Sequence, residues 1–302
     1  MKIDVHHHVA PDFWIALPGG TVDERRVFDD WSPARAIEEM DRDGVATAYA
    51  SLTVAGHRFA DPAVARRLAR RCNEYMAQLR VEHPGRFAFF ALLPMPDIDG
   101  SLAEIAYAYD QLKADGIGLM TSYGDWWLGD ARFDPVFEEL NRRKAVVFTH
   151  PTSNAACTHR QEWLGPAPIE YGTDTTRAIA EYVLRGASQR YPAVRVIFSH
   201  AGGTMPYLVQ RFINQGNGRF KEALPHGFLA EAQKLYYDTA QVPARGTMLA
   251  LKEVVPETNI LFGSDYPYRT CGWTAELLTS GKAFDARGLD AVFHENAARL
   301  LR

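Results

Sequence analysis

Short apolar runs alternate along the whole chain with longer amphipathic stretches, and this rhythm restricts the fold more than any other feature. The runs cover 2–8 (KIDVHHH), 45–52, 86–93, 116–122, 145–150, 194–200, 234–240 and 259–265. Several are near-continuous in Val, Ile and Phe, as parallel strands covered on both faces should be. Helical patterns lie between them. SPARAIEEMDRDG puts Ser32 at the cap, Pro33 in the first turn and Gly44 just past the end. The stretch from Asp61-Pro62 to Pro84-Gly85 reads as a second helix, and others fit 100–114, 134–143, 173–190, 204–213, 243–254 and 289–301. Strand–helix repeats with right-handed crossovers predict an α/β fold, a (β/α)8 barrel. An open doubly wound sheet ranks second, because no Gly-rich phosphate loop follows the first strand. The 302 residues suit a single barrel domain over 1–302, with lid insertions near 9–31, 151–172 and 266–288.

Composition excludes several classes of function. A net charge of −4 with no basic stripe argues against nucleic acid. No stretch of about 18 apolar residues is present to span a membrane, and the start lacks a secretory pattern. Cys72, Cys157 and Cys271 have no paired spacing, which fits a reducing compartment. The expectation is a soluble cytoplasmic protein.

The polar residues fall at the strand ends. His6 and His8 close the first run and, two apart, point to the same side of it. His150 closes the fifth run, His200 the sixth and Asp265 the eighth. In a (β/α)8 barrel these are all C-terminal ends, where active sites sit. Imidazoles and a carboxylate converging there suit a divalent metal. By alternation Asp4 points the same way as His6 and His8, one step deeper, where it would orient a ligand. His7 should face the opposite side. His57, His83, His226 and His294 fall in loops or helices and read as structural or solvated, and His159 lies in the second lid.

The segments IDVHHHVAP, VFTHP, FSHAGGTMPYLVQRF, YYDTA and LFGSDYPY resemble, in order and spacing, the amidohydrolase-related metal-dependent decarboxylases. The likeness is to the 6-methylsalicylate decarboxylase type, with aminocarboxymuconate-semialdehyde decarboxylase a cousin. It runs from the first strand to the closing ENAARLL. The resemblance implies an amidohydrolase-like barrel holding one divalent metal on His6, His8, His150 and Asp265, with zinc ranked first and manganese second. It implies that His200 is a catalytic acid/base and that Tyr268 packs on the substrate. It also implies that Arg211 reaches a neighbouring subunit's site, which makes the enzyme a homodimer or larger. Trp163 and Trp14 are candidates to line the pocket, and Arg25 or Arg26 to match an arginine that relatives carry in the first lid.

The implied reaction is nonoxidative decarboxylation of a small carboxylic acid of the salicylate type or a related unsaturated one. Protonating the ring carbon that bears the carboxylate eases this reaction, and either Asp265 or His200 would reach to supply the proton. The alternative on the same scaffold is a metal-dependent hydrolase or hydratase acting on a lactone, a C–C bond or an enol.

Overall fold

A computed structural model of the chain describes residues 1–15, 28, 30–52, 61–152 and 164–301. Eight strands form one sheet whose order follows the chain: β1 Lys2–His8, β2 Val45–Ser51, β3 Phe87–Leu92, β4 Gly116–Met120, β5 Val146–His150, β6 Arg195–Phe198, β7 Tyr236–Asp238 and β8 Ile260–Leu261. Each strand pairs in parallel with the next. Hydrogen bonds from Val5 N–H to the Phe262 carbonyl and from Asp265 N–H to the His6 carbonyl then join the last strand region to the first. The protein is therefore a closed (β/α)8 barrel.

The crossovers carry helices α1 Pro33–Asp43, α2 Pro62–Glu82, α3 Ile98–Asp110, α4 Asp134–Arg142, α5 Glu170–Leu184, α6 Met205–Asn217 and α7 Arg245–Val254, and α8 Cys271–Gly281 follows β8. Their ends follow the local chemistry. The Ser32 hydroxyl accepts from Arg35 N–H, and Gly44 closes α1 at φ 71°. Asp61 and Asp97 cap α2 and α3 in the same way.

The strands are apolar on both sides because the barrel has two cores. Val5, Tyr49, Phe90, Val146, Phe148, Ile197 and Leu261 fill the interior, where Phe90 stacks on Phe148 at 5.3 Å. A second shell, including Met40, Met76, Phe89, Ile117, Val147, Phe198 and Phe262, packs the sheet against the helices. Each large side chain buried in this way contributes roughly 1.5–3 kcal/mol.

The structure adds detail at three places. The segment 266–288 is not irregular throughout, because α8 occupies Cys271–Gly281, capped by the Thr270 hydroxyl. A two-stranded hairpin, Ser122–Tyr123 with Trp126–Trp127, extends beyond β4. The C-terminal helix expected over 289–301 is present as one run from Ala286 to Leu300, with a π-helical turn at Ala291–Glu295 inside it.

Candidate metal centre and active site

β1 carries the first two site residues, and its course departs from simple alternation. Between Asp4 and His7 its register against β2 shifts, as at a β-bulge. Val5 sits in the inner core, and His6 follows it inward, with its ring 4.9 Å from Phe148. The bulge moves Asp4 out of line with His6 and His8. The Asp4 carboxylate instead accepts from the Ser264 hydroxyl at 2.6 Å, Ser264 N–H at 3.0 Å, His6 N–H at 3.1 Å and His7 Nδ1 at 3.1 Å. The alternation argument for Asp4 fails here, and what Asp4 orients is the backbone between β1 and the end of β8. His7 faces outward as expected and stacks on Tyr266 at 4.5 Å.

His150 is the last residue of β5, but His200 and Asp265 lie beyond their strands in tight turns, at φ 53° and 67°. A left-handed backbone is uncommon for such residues and is stored where surrounding bonds enforce it. For Asp265 the bond is its N–H to the His6 carbonyl at 2.8 Å, and for His200 its N–H to Asp238 Oδ1 at 2.8 Å. Two glycines allow the close packing. A Cβ on Gly263 would lie 2.8 Å from His6 Cβ and 3.0 Å from Asp238 Cβ. Gly203, at φ 65°, lets the turn after β6 pass directly against the backbone of Gly172.

The five groups meet. His6 Nε2 and His8 Nε2 are 3.1 Å apart, and Asp265 Oδ1 lies 3.1 Å from the first and 2.9 Å from the second. The ligating atoms of His6, His150, His200 and Asp265 all fall within 4.8 Å of one another. His6 and His8 are fully buried, while His150 and His200 at 7% exposure and Asp265 at 4% mark the open side.

The second nitrogen of three of these imidazoles is committed to an acceptor. His6 Nδ1 donates to Asp238 Oδ2 at 2.7 Å, His8 Nδ1 to Ser51 Oγ at 3.0 Å, and His150 Nδ1 to the Pro151 carbonyl at 2.8 Å. Ser51 Oγ acts as acceptor because its own proton points to the His7 carbonyl at 3.3 Å. All three Nε2 atoms therefore turn into the cluster with a lone pair available, and His200 Nε2 is buried there without a hydrogen-bond partner. Bare nitrogens and a carboxylate crowded together in this way need a shared positive charge, and a divalent cation fits.

The electrostatics point the same way. Burial would push His6 down, but Asp238 and Asp265 outweigh it and hold the imidazole up at about 10. Burial pushes His8 down to about 4 against its bond to Asp265, and pushes His150 well below its ordinary value with help from His8 and His6. Burial would raise Asp265, yet His6, His200 and His8 keep it well below the usual carboxylate range. Without a cation, His6 thus keeps a second proton, on Nε2 against Asp265 Oδ1, and a divalent cation bound among these groups would take that proton's place and free the lone pair.

Gln241, Asp238 and Ser51 were not picked out from the sequence. Gln241, at φ 61°, donates from Nε2 to Asp265 Oδ2 at 2.7 Å. Asp238 lies inside the apolar run 234–240, and only the structure ends the strand at it, as β5 ends at His150. Tyr268 stands half-buried, edge-on to His8 with ring centroids 6.0 Å apart and 5.5 Å from Phe28. Arg211 lies on the exposed face of α6, away from the cluster's hydrogen bonds. Trp14 is packed in the outer core at 8% exposure. Trp163, Arg25, Arg26, His57, His159 and Cys157 lie outside the described residues.

Residues 3–302 match the Amidohydrolase family model. The chain belongs to the amidohydrolase family. This amidohydrolase is 36% identical to decarboxylase macB of Penicillium terrestre over 306 residues, covering 96% of this chain and 90% of the relative. It is also 36% identical to the 6-methylsalicylic acid decarboxylase of Penicillium expansum over 284 residues, 88% of this chain and 85% of that one. Among solved structures, the dihydroxybenzoic acid decarboxylase of Polaromonas sp. JS666, with bound manganese and 2-nitroresorcinol, superposes with a TM-score of 0.87. That match covers 99% of this chain and 96% of the other at 21% identity, so it speaks for the fold alone. No helix among the described residues of this amidohydrolase is long and apolar enough to cross a membrane.

Proposed function

We propose that this amidohydrolase is a metal-dependent nonoxidative decarboxylase, a carboxy-lyase, acting on a small aromatic acid with a hydroxyl ortho to its carboxylate. The observation that carries the reading is the set of three Nε2 atoms gathered with the Asp265 carboxylate, each with its Nδ1 committed elsewhere, and the unpartnered His200 Nε2 3.6 Å from Asp265 Oδ2. The decarboxylase relatives favour loss of CO2 over the hydrolytic alternative.

His6, His8, His150 and Asp265 hold one divalent cation in this reading. Zinc is ranked first for a three-histidine, one-carboxylate set, and manganese second because the Polaromonas structure contains it. When bound, the cation would supply Lewis acidity toward the substrate's oxygens. Asp265 divides its labour between two oxygens. Oδ1 faces His6 and His8, so Oδ2, beside His200 and Gln241, faces the substrate; ionised in the free protein, it takes up the proton that the substrate's ortho hydroxyl gives up on binding. Oδ2 gives that proton to the ring carbon bearing the carboxylate, and ring π electrons form the new C–H bond. The electrons of the C–CO2 bond then return to the ring as CO2 departs. The Gln241 amide steadies the carboxylate left behind, and His200 Nε2 bonds the substrate oxygen. Tyr268, beside His8, packs on the flat ring, and Trp163 is assigned to the same pocket. Buried free Cys72 and Cys271 support a cytoplasmic setting.

The test is CO2 release by zinc- or manganese-loaded protein across a panel of salicylate-type acids. Release from an ortho-hydroxybenzoate, abolished by chelator, is expected. Water uptake without CO2 by a lactone or enol substrate would transfer the protein to the hydrolytic reading.

We further assign a homodimer through α6, where Tyr207, 89% exposed, and Arg211 stand one helical turn apart. Arg211 there reaches the partner's site and holds the substrate's carboxylate. Mixing inactive Arg211→Ala and His200→Ala subunits should restore part of the activity. A mixture as inactive as its components removes this role.

A further inference from the structure

His150 is held differently from the other two histidines. His6 Nδ1 meets a carboxylate on β7 and His8 Nδ1 a hydroxyl on β2, but His150 Nδ1 bonds to the carbonyl of the very next residue, Pro151, at 2.8 Å. A carbonyl on a chain leaving its strand keeps a direction only if something fixes its peptide plane. The N–H of that same peptide, belonging to Thr152, donates to Asp174 Oδ2 at 3.1 Å. One amide group therefore stands between the His150 ring and a carboxylate.

Asp174 projects from α5 and is only 3% exposed. It accepts from Ser122 Oγ at 3.2 Å and Trp127 Nε1 at 2.6 Å, and also from the Thr121 hydroxyl. Burial pushes its carboxyl up, and the four donors oppose that push. Thr121 and Ser122 follow β4, whose last residue, Met120, is paired with His150. Asp174 thus joins the ends of β4 and β5 to α5 directly beneath His150.

We infer that Asp174 is a positioning residue for His150, acting through the Pro151–Thr152 peptide. A carboxylate on the N–H end of an amide polarises it and strengthens its carbonyl as an acceptor. The His150 proton is then held on Nδ1, and Nε2 is kept bare, aimed and basic. This is the role Asp238 plays for His6 by direct contact. The inference rests on reading His150 as a metal ligand. The competing explanation is that Asp174 merely ties down the hairpin carrying Trp127.

Zinc affinity of the full chain, measured by competition with a chromophoric chelator, separates the two explanations. Asp174→Asn should weaken zinc by about tenfold. Trp127→Phe removes the indole bond but leaves the Thr152 contact, so it should lower Tm and leave zinc affinity unchanged. An amide-to-ester exchange at Thr152 deletes the N–H with every side chain in place, and it should reproduce the Asp174→Asn loss. Wild-type affinity in the ester protein overturns the relay, even if Asp174→Asn fails to fold. Equal zinc loss in Trp127→Phe and Asp174→Asn overturns it as well. His150→Ala is the control: if it keeps full zinc affinity, the ligand reading itself fails. If it loses zinc while Asp174→Asn and the ester protein keep theirs, only the relay fails.

Discussion

Two histidine–carboxylate clusters lie back to back across β1. Toward the barrel axis are His6, His8, His150, His200 and Asp265, and on the opposite side are Asp4, His7, Ser264 and Cys271. Both are buried, and both bring together residue types that bind metals. Their lone pairs distinguish them. On the outer side five donors converge on the Asp4 carboxylate, including His7 Nδ1 and Cys271 Sγ, so its acceptor capacity is used within the protein, and His7 Nε2 is the nitrogen left there without a partner. On the inner side the outward nitrogens are bonded to Asp238, Ser51 and Pro151, and the inward ones face each other. The contrast teaches that satisfied groups weld strands together, whereas groups left unsatisfied on one side are available to a ligand.

Substitutions should keep the two clusters apart. The largest effect is expected from His150→Ala, which should lose bound metal and activity together; retention of one metal per chain, by elemental analysis, would put His150 outside the ligand set. His200→Ala should keep its metal while turnover falls by about a hundred- to ten-thousand-fold. An empty His200→Ala protein would instead make His200 a ligand. The smallest effect on chemistry is expected from the outer cluster. Asp4→Asn should cost about 2–3 kcal/mol of stability in denaturant unfolding, through weakened charge-assisted bonds, with metal content unchanged. Metal loss without a stability change would show that the clusters are not separate.

Much of this could be read along the chain. Buried parallel strands need apolar runs, helices need their caps, and polar side chains at strand ends are placed by the barrel's own geometry. That reasoning placed His6, His8, His150, His200 and Asp265 together. It failed at Asp4, because period-two alternation does not anticipate a bulge between Asp4 and His7. It also missed Gln241, whose left-handed backbone has no glycine to announce it. Asp174 was out of reach because it meets Thr152 from a helix, and Ser122 from 52 residues away.

The sequence by itself determined the barrel, the end of the barrel that holds the chemistry and the kinds of side chain gathered there. Those follow from local periodicity, which acts over a few residues. Only the tertiary structure decided which nitrogen of each histidine faces inward and which oxygen of Asp265 meets His6 and His8 rather than Gln241. Those choices depend on hydrogen bonds closed between distant segments, such as His6 to Asp238 across 232 residues and His8 to Ser51 across 43. The direction of a lone pair is set by the partner on the other side of the ring, and folding alone brings that partner into place.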